Sequence, residues 1–166
     1  MKKHGIKVGK LFNFKRAAGA NKLLGMVKKS FPDIKYVCDA KQAVGVNVSK
    51  SDNELAVQNA PDKCAMAIAA CRTFKSKRAF IGMNDSCLVF EDTVVRFKTP
   101  ASVSREIVSF DRHHDFAKGS YRLSPMTPSH ALGRKWKNHA KKNKSKLKRN
   151  ITKKVPRHVT LHVRAL

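Results

Sequence analysis

Residues 78–98 read RAFIGMNDSCLVFEDTVVRFK, and this stretch decides the fold. It holds three β-rich runs, 78–83, 86–90 and 93–98, parted by Asn84-Asp85 and Glu91-Asp92. Asn and Asp side chains bond to nearby backbone and so favour turns. Short β-branched and aromatic runs parted by such pairs predict an antiparallel meander. Upstream, Asn59 and Pro61 open a helix over 61–74, with Cys64, Ile68 and Cys71 at i, i+4 and i+7. Ala and Met fill its other positions, so nearly every face is apolar, the pattern of a buried helix. Downstream, Thr99-Pro100 caps a helix that carries Val103, Ile107 and Phe110 on one face. Residues 111–118 are polar and read as irregular, and Gly119 leads into a strand over 120–124.

Residues 44–48 form one more strand candidate before the meander. Ser51 followed by Glu54 has the spacing of a capping box, in which each residue satisfies a free amide of the other, and starts a short helix. The expected class is therefore α+β, with a small antiparallel sheet in β-α-β-β-β-α-β order and helices on one face. Pro125 and Pro128 break the chain after the last strand, which sets the expected domain at 46–126.

Charge divides the chain at the same places. The total is +25, from 36 Lys and Arg against 11 Asp and Glu. Residues 1–45 carry +9, residues 46–126 carry +3 and residues 127–166 carry +13, the last without a single carboxylate. A nearly neutral domain is thus flanked by two basic arms. Self-repulsion of this size opposes the compact state unless a polyanion offsets it. The first arm contains a helical stripe of Ala20, Leu23, Leu24, Val27 and Phe31, ended by Pro32, with Lys22, Lys28 and Lys29 off the stripe. Such a basic amphipathic helix either docks on the domain with its lysines outward or lies on a membrane surface. Docking is preferred, because the stripe has no Trp at its margins and a membrane would leave the second arm unexplained. Residues 34–38 alternate and fit an edge strand.

In the second arm, residues 133–149 read GRKWKNHAKKNKSKLKR. Arg134, Lys135, Lys137, Lys141, Lys142, Lys144, Lys146, Lys148 and Arg149 are its cations, and Lys153, Lys154 and Arg157 follow. Each phosphate that such a run neutralises releases condensed counterions, which turns repulsion into binding. Lys outnumbers Arg, and Lys is a point charge without the planar fork that reads guanine, so the contact expected is sequence-independent. Trp136 lies between Lys135 and Lys137, where an indole stacks on an unpaired base or folds back as an anchor. Residues 155–163, VPRHVTLHV, are β-rich, with His158 and His162 on one face when extended.

Other chemistries fit poorly. Asp111, His113, His114 and Asp115 make the densest set of metal-type ligands, but adjacent residues do not readily converge on one ion. There is no phosphate-binding glycine loop. Cys38, Cys64, Cys71 and Cys87 form no C-x-x-C pair and sit among apolar neighbours, as reduced, buried thiols do. No apolar run follows the basic residues 1–10, so no secretory signal is expected, and the longest apolar-rich stretch, 64–71, is too short to span a bilayer. No catalytic residue, metal or cofactor is expected.

Short matches run along the middle of the chain. They are Val46-Asn47-Val48-Ser49, Lys63-Cys64-Ala65, Ala69-Ala70-Cys71-Arg72, Arg96-Phe97, Thr99-Pro100, Arg105-Glu106-Ile107, Ser109-Phe110-Asp111-Arg112, Tyr121-Arg122-Leu123-Ser124-Pro125 and Leu132-Gly133. On these residues the segment 46–135 resembles small basic proteins encoded by bacteriophages, a group without an established activity. The group carries glycines where this chain has His113 and His114, which argues against a shared catalytic role for them. The resemblance implies a phage setting, in the host cytoplasm or the virion, and a nearly neutral domain carried on basic arms suits contact with a capsid or other viral protein. The expected function is sequence-independent binding of DNA or RNA, in genome packaging, in the virion or as a replication accessory. The alternatives are a ribosome-associated rRNA binder and a small metal-dependent nuclease.

Overall fold

The structure, a computed structural model, describes residues 2–19 and 21–134. In chain order the elements are β1 (Lys2–Lys3), β2 (Ile6–Lys7), β3 (Phe12–Asn13), α1 (Phe14–Ala18), α2 (Lys22–Ser30), β4 (Tyr36–Asp39) and β5 (Val44–Val48). Then come α3 (Lys50–Glu54), α4 (Ala65–Phe74), β6 (Arg78–Ile81), β7 (Asp85–Val89), β8 (Thr93–Lys98), α5 (Ala101–His113) and β9 (Gly119–Leu123). The main sheet has five strands in the order β3-β4-β8-β7-β6. The β6-β7-β8 meander is antiparallel, as the turn pairs predict, whereas β4 runs parallel to β8. A second sheet pairs β5 with β9.

The α+β class holds, and so does the element order from β5 to β9. Central position explains β8, whose residues Thr93 to Phe97 are all buried. Its side chains alternate between two cores. Val95 and Phe97 join the larger one with α4, α5 and the inward valines of β5, while Val94 joins the smaller one with Phe14, Leu24 and Val27. Helices therefore cover both faces of the sheet, not one. The expected docking of the 20–31 helix on the domain is met, and together with α1, which was not expected, that helix makes the layer on the second face.

A further correction applies to β4. It is not an edge strand: β3 flanks it on one side and β8 on the other. The compact unit accordingly spans Met1–Arg134 and is not confined to 46–126. The reason is a buried ion pair. Arg96 on β8 donates to Asp39 on β4 at 2.8 Å, with both side chains under 10% exposed. Its guanidinium also donates to the His130 carbonyl at 2.9 Å, and the Leu132 amide donates to Asp39 at 2.6 Å. The chain thus continues to pack beyond Pro125 and Pro128. Gly133 ends this path at φ +72, where an added Cβ would lie 2.5 Å from the Phe12 ring.

Two helix starts also differ from expectation. The capping box is Ser49 with Asp52, not Ser51 with Glu54. Asp52 is drawn inward by Arg72 on α4, at 2.6 Å, while Glu54 pairs with Lys50 on the surface. Helix α4 begins at Ala65 and not at Pro61, because the Pro61 carbonyl accepts from the Ile81 amide on β6. Helix α5 buries Val103, Ile107 and Phe110 as expected, but runs on to His113. Its end is set by His114 in the left-handed region, whose amide donates to the Phe110 carbonyl.

Candidate nucleic-acid interface

The basic surface is built from two short helices. Asn13 caps α1 by accepting from the Arg16 amide, and Asn21 caps α2 by accepting from the Leu24 amide. Asn21 also donates to Asp85 on β7 at 2.8 Å, which fixes the start of α2 on the sheet. Leu24 and Val27 are fully buried, so Lys22, Lys28 and Lys29 are forced outward. The helix docks through its apolar stripe, and that stripe is no longer available to a lipid surface. Lys28 and Lys29 occupy the last turn, where the helix dipole favours cations. Neither helix contains a carboxylate.

Lys15 and Arg16 on α1, and Lys35 before β4, are exposed beside them. Sequence reasoning passed over these three. The five-residue α1 is too short for a periodic pattern, and only the Asn13 cap before Phe14 marks it.

Five carboxylates of the unit are paired away from these helices. Asp39, Asp52, Glu54, Asp62 and Glu91 pair with Arg96, Arg72, Lys50, Arg78 and Lys77. None of these pairs, among the described residues, involves a cation of α1 or α2. Of the second-arm cations, Arg134 is described: it is exposed and donates to the Ser129 carbonyl at 2.6 Å. It follows Leu132, which packs against the smaller core that α1 and α2 cover. The remaining expected contacts lie outside the described residues. They are Lys135, Trp136, Lys137, Lys141, Lys142, Lys144, Lys146, Lys148, Arg149, Lys153, Lys154 and Arg157.

The residues of the nuclease alternative have other partners. Asp111 accepts from the Asn59 amide at 2.8 Å, Asp115 accepts from the Asn53 side chain, and His114 stacks on Phe110. Among the described residues, no group of three His, Cys, Asp or Glu is placed to hold a metal ion. The four cysteines are free. Burial pushes the Cys64 thiol up to about 11 and raises that of Cys87 further, so neither offers a thiolate at neutral pH. No helix among the described residues is long and apolar enough to cross a membrane.

Fold and surface together define a small α+β protein with two basic helices, α1 and α2, that contain no carboxylate. The chain matches no family profile, no curated protein sequence and no solved structure.

Proposed function

We propose that this chain is a phage-encoded protein that binds nucleic acid without regard to sequence, through phosphates and without catalysis. One observation carries the reading: α1 and α2 display exposed cations and contain no carboxylate, five of the unit's carboxylates pair with Arg96, Arg72, Lys50, Arg78 and Lys77 instead, and the sequence of 127–166 contains no carboxylate at all. A face of this kind is the electrostatic footprint of a phosphate-binding protein. The prevalence of Lys over Arg supports neutralisation over base reading. Leu132, two residues before Arg134, packs against the smaller core that α1 and α2 cover.

The test compares the full chain with a chain ending at Arg134, which retains the Asp39–Arg96–Leu132 contacts. Both are titrated with salt in gel shifts on single- and double-stranded RNA and DNA. With about eight cations engaged, log K falls with log salt at a slope near −6 on single strands and near −7 on duplex. The shortened chain loses most of the affinity and most of the slope. Equal binding by the two chains refutes the role of the C-terminal run, and no binding by the full chain at low salt refutes the function.

A further inference from the structure

Beside the basic helices lies a cleft of about 500 Å³ lined by Asn13, Lys15, Pro32, Asp33, Lys35 and Tyr36, among others. Helix α1 starts directly after Asn13 and brings Lys15 to the cleft, and α2 runs out through Phe31 into Pro32 at its edge. Tyr36 is 41% exposed and is the one aromatic among the exposed large apolar side chains of the described residues. Its surroundings are rigid. Its Cα pairs with Asn13 on β3 and with Thr93 on β8, and the Lys35 and Tyr36 amides both donate to the Asp92 carbonyl.

This half-exposed ring on an inner strand belongs to neither core. Flanked by Lys15 and Lys35, it combines the two parts of a single-strand site: a ring for a base and cations for the phosphates on each side. A paired base has its faces covered by its neighbours and cannot use that ring. Asp33 lines the same cleft and repels phosphate, which leaves it to accept from the amino edge of a base, as carboxylates do from cytosine. Charge and shape agree on one occupant.

We propose that the Tyr36 cleft receives an unpaired base of single-stranded nucleic acid, with the adjoining phosphates on Lys15 and Lys35. This rests on the phosphate-binding function above and gives it a strand preference that the cations alone do not supply. Such a ring is held ready by the sheet, so little conformational freedom is lost on binding.

The test uses the full chain and measures anisotropy of a labelled oligonucleotide, alone and as its duplex, at one salt concentration. Tyr36→Ala weakens single-strand binding by about five- to a hundred-fold and leaves duplex binding unchanged. Tyr36→Phe, which keeps the ring, binds as the parent does. In parallel, the unaltered chain is photocrosslinked to an iodouracil-substituted single strand and digested with trypsin, and the adduct is expected on the peptide that begins at Tyr36. Single-strand affinity unchanged in Tyr36→Ala, equal losses on both strand forms, or an adduct confined to other peptides overturns the proposal while leaving phosphate binding intact. A parent chain that binds neither form overturns the underlying function instead.

Discussion

Asp39 illustrates how one side chain holds three segments. It accepts from Arg96 with one oxygen and from the Leu132 amide with the other, so β4, β8 and the 130–132 segment meet on a single carboxylate. Replacing it with Asn keeps the shape and leaves a buried guanidinium without its counter-charge. Removing one partner of a buried pair typically costs about 3–5 kcal/mol. Asp39→Asn is expected to lower the urea midpoint accordingly and to speed hydrogen exchange at the Leu132 amide. Asp52 gives a pH-dependent counterpart. Burial pushes its carboxyl up, but hydrogen bonds from Arg72 and from the Ser49 amide and hydroxyl outweigh burial and hold it below the ordinary range. A lowered folded pKa means that the stabilisation is complete above the unfolded value of about 3.9 and is lost as pH falls through the folded value. Asp52→Asn should therefore cost about 1–2 kcal/mol at neutral pH through the weakened hydrogen bonds from Arg72 and Ser49 to a charged acceptor and flatten the stability profile below about pH 4. Urea melts of parent and variant across that range check both.

Helix α2 joins structure to binding at the level of an element. Its inner residues Leu24 and Val27 close the smaller core, and its outer residues Lys22, Lys28 and Lys29 face solvent. The two roles are separable because they occupy opposite sides of one helix. The triple change of Lys22, Lys28 and Lys29 to Gln is expected to leave the thermal midpoint nearly unchanged and to reduce the salt slope by about 2–3 on either strand form. An unchanged slope would remove α2 from the interface. The amphipathic pattern made this helix legible in the sequence, together with its three lysines. It did not reveal Lys15, Arg16, Lys35 or Tyr36. Their chemistry comes from juxtaposition across β3 and β4, and two-residue strands carry no period.

At the scale of the whole molecule, the sequence made the class and the order from β5 to β9 legible, because turns and local alternation are near-neighbour properties. It did not show which strand lies beside β4. Alternation over 34–38 marks a strand but not its neighbour, and the parallel partner lies far along the chain. Nor did it show the return of residues 130–132, which engage through backbone groups that any residue type carries. The separation of the parallel pair also matters during synthesis. Asp39 and Arg96 are 57 residues apart, so at a ribosome's pace of about 5–20 residues per second β4 waits roughly 3–11 s for β8 to be made. Throughout that interval the nascent strand holds an open hydrogen-bonding edge, and it is flanked by lysines at positions 35 and 41, the kind of charge that disfavours edge-to-edge pairing between copies.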